Sequence, residues 1–172
     1  MKIVNFKRHI ETGPLRLRLF RLGDLRTLYS LFTPEIFPEA KESKRNPRSL
    51  FSFYRWMKNT FQVVYLVEIE ENGRGRIIGF AGLYDIELGR KLRLSLAIFN
   101  PEDRGRGYGE KALTVLLRLL HENGAAEAVY AEILKSNVPS LRLCRKLGFK
   151  VKRLYQDKLL LEKDQKRKSG EG

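Results

Sequence analysis

The stretch from Ile98 to Gly124, IFNPEDRGRGYGEKALTVLLRLLHENG, narrows the fold more than any other. An apolar run, KLRLSLAIFN, ends at Pro101. Alternating glycines follow, and then a helical pattern from about Gly107 to Asn123. In that pattern Lys111, Thr114, Arg118 and Glu122 form one polar stripe and nearly all else is apolar, so the helix is expected to pack on a sheet. The first turn of a helix has amide N–H groups without internal partners, and its dipole puts partial positive charge there. Glycines let a backbone approach an anion closely. Strand, glycine loop and helix therefore make a phosphate-binding unit. An RNA-binding Arg-Gly tract is the competing reading, but such tracts repeat, and this one occurs once and runs directly into an amphipathic helix. The spacing G-x-G-x-G matches neither the dinucleotide fingerprint nor the nucleoside-triphosphate loop.

The remaining chain supplies the sheet. LRLRLF, Leu15 to Phe20, alternates Leu with Arg as a half-buried strand does. Gly23-Asp24 offers a turn and an N-cap for the helix LRTLYSLF, and a second helix is expected from near Pro47 to Lys58. FQVVYLVEIE and RIIGFAGLYDI read as a hairpin around Asn72-Gly73, with Gly79 and Gly82 marking a bulge or a close backbone neighbour. AAEAVYAEIL reads as a strand buried on both faces. Asn137 caps a short helix that tolerates Pro139 in its first turn and ends at Gly148. FKVKRLY and KLLLEK form a last hairpin. The expectation is a mixed α/β sheet of about seven strands with helices on both faces, in one domain over residues 1–163, and a basic tail from 164 to 172.

Composition limits the function classes. With 172 residues and 42% hydrophobic content, the chain can bury one core. Cys144 is its one cysteine and His9 and His121 its two histidines, so neither a disulfide nor a metal site is expected. No apolar run reaches the ~18 residues of a membrane span, and a cytoplasmic location is expected. The net charge of +14 favours acidic partners.

Arg104-x-x-Gly107-x-Gly109 after a strand resembles the acetyl-CoA signature of the GNAT superfamily of N-acetyltransferases. A second match follows downstream, Asn137-Val-Pro-Ser140 and then Leu-Cys-Arg-Lys-Leu-Gly-Phe from Leu143 to Phe149. Both motifs occur in order with the right elements between them. PLRLRLFRLGDLRTLYSLF is similar to the opening of the ribosomal-protein acetyltransferase group. The resemblance implies a GNAT fold with a splayed central strand pair, acetyl-CoA as cosubstrate and a primary amine as acceptor. A monomer or homodimer is expected, with no membrane or nucleic-acid partner. It assigns the CoA pyrophosphate to the amides of Arg104, Gly105, Arg106, Gly107, Tyr108 and Gly109. It assigns the pantetheine arm to the strand Leu96-Ala97-Ile98, with the Ile98 amide as oxyanion donor. Asn137 would hydrogen-bond the pantetheine, and Ser140, Cys144 and Leu147 share its helix face.

Glu132 is the candidate general base. It sits in an apolar strand, where an unpaired carboxylate is costly and desolvation would raise its pKa, and it matches a glutamate of the resembling enzymes. Cys144 stands where the resembling enzymes usually carry the tyrosine that protonates the leaving thiolate. The acceptor pocket is expected around Thr33 to Lys58, an aromatic and basic stretch suited to an acidic acceptor. Two alternatives belong to other classes, a basic nucleic-acid-binding domain and an acyl-CoA-binding module without catalysis.

Overall fold

A computed structural model describes residues 6–32 and 49–166. The strands are β1 (His9–Thr12), β2 (Leu15–Leu19), β3 (Val63–Glu71), β4 (Arg74–Glu87), β5 (Lys91–Ile98), β6 (Ala128–Leu134), β7 (Lys150–Leu154) and β8 (Lys158–Asp164). The described helices are α1 (Leu25–Leu31), α2 (Leu50–Thr60), α3 (Tyr108–Glu122) and α4 (Val138–Lys146). One eight-stranded sheet runs β1-β2-β3-β4-β5-β6-β8-β7. Every neighbouring pair is antiparallel except β5 and β6, which are parallel.

The sheet thus has one strand more than expected. The extra one, HIET, has four residues and a half-exposed pattern, too short to show a period. On the Leu face of β2, Leu15 and Leu17 are fully buried and Leu19 is half-buried, and its charged face is tied down, since Arg16 and Arg18 both bond the buried Glu68. Asp24 is not the side-chain cap of α1. Its carboxylate accepts the Arg21 N–H at 2.8 Å and the Arg18 guanidinium at 2.7 Å, which starts a short 3-10 turn, Leu22–Asp24, ahead of the helix. Helix α2 starts later than expected, after Ser49, whose hydroxyl accepts the Ser52 N–H. Pro47 lies outside the described residues. Strand β8 runs to Asp164, and the Gln165 N–H still bonds the Glu127 carbonyl at 2.7 Å.

Two cores sandwich the sheet. On one face α3 and α4 pack on Leu15, Leu17, Leu92, Leu94, Val129 and Ala131. Helix α3 buries Ala112, Leu113, Val115, Leu116, Leu117, Leu119 and Leu120. At about 1.5–3 kcal/mol per large apolar side chain, that burial outweighs intrinsic helix propensity. On the other face α1 and α2 cover β3, β4 and the end of β5 with an aromatic cluster of Phe32, Phe53, Trp56, Phe61, Phe80 and Phe99. Of the α2 aromatics, Phe53 is therefore core, Tyr54 and Trp56 pack against it, and Phe51 is exposed.

Strand β6 is not buried on both faces. Val129, Ala131 and Ile133 are buried, while Ala128, Tyr130, Glu132 and Leu134 are half-buried. The second core takes in no residue of β6, β8 or β7, and the site lies on that part of the sheet.

Candidate active site

The loop after β5 is fixed at its stem and bare at its tip. Pro101–Asp103 form a 3-10 turn. Asp103 is bonded to Arg76 of β4, and the Arg104 guanidinium donates to the carbonyls of Ile98 (3.0 Å) and Phe99 (2.8 Å). The side chain of Arg104 thus anchors the loop, a role its sequence position did not reveal. Gly105 and Gly107 then take left-handed φ values of 72° and 81°, and a Cβ at either would meet nothing within 4 Å. Gly107 is the N-cap of α3 and offers no side-chain acceptor. The amides of Tyr108, Gly109 and Glu110 are the first of the helix and have no intrahelical partner. The loop is an open cradle of amides at a positive helix end, which fits a pyrophosphate. The Tyr108 ring packs against the core, and Arg106 is exposed.

Beside the loop the central strands part. Pairing of β5 with β6 ends at Arg93↔Tyr130, although β5 continues to Ile98 and β6 to Leu134. The Phe99 N–H bonds the Ile78 carbonyl of β4 at 2.8 Å. Successive strand residues point their amides to opposite edges, so the amides of Ile98 and Leu96 point into the gap and that of Ala97 points to β4. The first turn of α3 borders the gap, since a Cβ on Gly109 would lie 3.6 Å from Leu96 and from Leu143 of α4. Gly79 of β4 lets β5 lie close, because a Cβ there would collide with the Ala97 carbonyl oxygen, and one at Gly82 with the Phe61 ring.

Helix α4 starts at the mouth of the gap. The Asn137 N–H bonds the Leu134 carbonyl at 2.9 Å, and its Oδ1 accepts the Ser140 N–H at 3.2 Å. Capping uses the oxygen and leaves the side-chain NH2 for another acceptor. The helix face shared by Asn137, Ser140, Cys144 and Leu147, expected to look toward the cofactor, is split. Asn137 is exposed and Ser140 half-buried, whereas Cys144 is 4% exposed inside the core with Leu147 packed against it. Burial pushes the Cys144 thiol up to about 11.

Glu132 lies on the open sheet face next to the point of parting. It is not the unpaired carboxylate expected. Arg93 bonds its Oε1 and Lys158 its Oε2, the latter at 2.7 Å. Burial alone would raise its pKa, but Lys158 and Arg93 together hold it below the ordinary carboxylate value, opposite to expectation. Arg93 also bonds Asp85 at 3.2 Å. Beside this network lies a cavity of about 760 Å3, whose lining includes Asn59, Asp85, Arg93, Tyr130, Lys152 and Arg153. Arg93, Tyr130 and Lys158 were missed from the sequence. Each is an ordinary strand residue, and only the sheet register brings them together. Residues 33–48, most of the expected acceptor pocket, lie outside the described residues. Among the described residues no cluster of His, Cys, Asp and Glu could hold a metal ion, and no helix is long and apolar enough to cross a membrane.

An uncapped glycine cradle beside a parted parallel strand pair defines the class. The acetyltransferase (GNAT) domain family model matches residues 14–150, and the chain belongs to that family. It is an acyltransferase, and members of its family use acetyl-CoA. Solved structures share the fold. A domain from Methanocaldococcus jannaschii is 22% identical, with TM-score 0.75, covering 87% of this chain and 97% of its own. An N-acetyltransferase from Staphylococcus aureus Mu50 is 20% identical, with TM-score 0.67 and coverages of 88% and 99%. RimL, a ribosomal L7/L12 alpha-N-protein acetyltransferase, is 14% identical, with TM-score 0.69 and coverages of 89% and 91%. No curated protein matches the chain.

Proposed function

We propose that this acyltransferase moves the acetyl group of acetyl-CoA to a primary amine on an acidic acceptor, such as a peptide α-amine or an amino sugar phosphate. The observation that carries the reading is the meeting of the uncapped α3 start with the free edge of β5 at one gap. Acetyl-CoA supplies an activated thioester: the amine nitrogen bonds to the carbonyl carbon, the C–S bond breaks and the amine loses a proton.

The amides from Arg104 to Gly109 hold the pyrophosphate. The edge of Leu96 and Ile98 aligns the pantetheine, with Ala97 holding that edge to β4, and the Asn137 NH2 bonds an amide oxygen of the arm beside Ser140. The Ile98 N–H donates to the oxyanion, an interaction that strengthens as charge develops. Glu132 is ionised at neutral pH. Each of its oxygens keeps a second lone pair beside its cation partner, so it can still attract and orient the acceptor ammonium, whose proton passes to solvent. Cys144 has a thiol pushed to about 11. Giving its proton to a thiolate of ordinary thiol strength, about 8.5, runs uphill, so the leaving thiolate takes its proton from solvent and Cys144 fills the core.

Arg153 in the cavity lining, beside Lys152 and its ion-pair partner Glu162, favours an acidic acceptor. The likeness to RimL supports a protein α-amine as one such class. A thiol-release screen with acetyl-CoA over amine acceptors tests this. Acidic peptides and amino sugar phosphates are expected to turn over best, and a strong preference for spermidine would overturn the acceptor class.

A further inference from the structure

We propose that Asp103 and Arg76 form a positioning clasp that aims the glycine loop, an inference that rests on reading Gly105–Gly109 as a pyrophosphate cradle. Asp103 closes the 3-10 turn two residues before Gly105 and is 3% exposed. Arg76 holds it with two parallel bonds, Nη1 to Oδ2 at 2.8 Å and Nη2 to Oδ1 at 2.9 Å. The Arg76 Nε bonds Glu71 at 2.7 Å. With both edges of the planar guanidinium engaged, its plane is set, and so is that of the Asp103 carboxylate. Across the loop stem Arg104 grips the end of β5. The residues before the cradle are thus tied to two strands, to β4 through Arg76 and to the end of β5 through Arg104.

Within the cradle the one side-chain hold described is the Tyr108 ring, packed against the core. Gly105, Gly107 and Gly109 have no side chains to anchor, and the direction of their amides follows from the stem. A buried carboxylate with one cation is a weak source of stability compared with an apolar residue of similar size. It is a good source of fixed geometry. Arg76 keeps the Asp103 carboxyl below its ordinary range, so the clasp is charged at neutral pH.

The test compares acetyl-CoA with S-acetylpantetheine, which lacks the pyrophosphate. Affinities are measured by calorimetry for the first and NMR titration for the second. Asp103→Asn and Arg76→Gln are each expected to weaken acetyl-CoA about tenfold and S-acetylpantetheine less than about twofold. Arg76→Lys, which keeps the charge but not the paired bonds, is expected in between, and it stands in should Asp103→Asn fail to fold. Glu71→Gln, which loosens the other edge of the guanidinium, is expected to shift the ratio of affinities the same way by a smaller factor. An unchanged ratio in the Asp103 and Arg76 variants, or equal weakening of both ligands, overturns the clasp while leaving the proposed function standing. A wild type that does not bind acetyl-CoA overturns both.

Discussion

The two ends of β5 do different work. At its C-terminal end the proposed cradle works through main chain: Gly105 and Gly107 present amides, while Asp103 and Arg104 hold the stem. At the point of parting, Arg93, Glu132, Lys158 and Asp85 act through side chains from four strands. A main-chain site depends on conformation, so it tolerates exchange of its neighbours but not loss of its glycines. A side-chain site depends on register and charge balance. The first suits a ligand common to a whole family, and the second suits an acceptor that differs among its members.

Substitutions can break the comparison at either end. The largest effect is expected from Gly107→Asp, which strains a left-handed residue by roughly 1–2 kcal/mol and puts a carboxylate at the cradle. Acetyl-CoA affinity is expected to fall roughly 100-fold by calorimetry, with the acceptor preference unchanged. Glu132→Gln strikes the other end. It is expected to lower kcat/KM for the acceptor roughly 10- to 100-fold, with acetyl-CoA affinity changed less than about threefold.

The same carboxylate gives a pH signature. Its folded pKa lies below its unfolded value, so its contribution to stability is complete above the unfolded pKa of about 4.3 and is lost as pH falls through the folded pKa. The stability gap between wild type and Glu132→Gln is expected to stay flat from about pH 6 to 8 and to close in acid. A gap that changed near neutrality in chemical denaturation would contradict the two ion pairs.

Gly79→Ala tests the strand that joins the ends. The new methyl meets the Ala97 carbonyl, so a loss of about 1–3 kcal/mol in unfolding free energy is expected, and both ligands are expected to bind less well. Cys144→Ala is expected to change turnover least, less than about twofold, while costing about 1–2 kcal/mol of stability through the space it empties. A large loss of turnover with an intact fold would return Cys144 to the chemistry.

What was legible in the sequence follows the same division. The glycine loop, α3, the Asn137 cap and the Asn72-Gly73 hairpin are written in neighbouring residues, because helix starts and tight turns are local. Strand β1 was not, because four residues show no period and it is recruited by pairing with β2. Glu132 could be picked out, but not its state. Arg93 is 39 residues away and Lys158 26, and the sign of the pKa shift depends on both. Asp103 lay in plain view beside the glycines, yet its partner Arg76 is 27 residues upstream, on another strand.

The central claim is that acetyl-CoA is held by main-chain amides of the loop and of the gap edge. Backbone amide chemical shifts, recorded while acetyl-CoA is added, test it directly. The predicted result is large shifts at Gly105, Gly107, Tyr108 and Gly109, and at Leu96 and Ile98, with small ones at Lys158 and Tyr130. Saturable binding with shifts confined to the open face of β6 and β8, or no shifts at all, would contradict it.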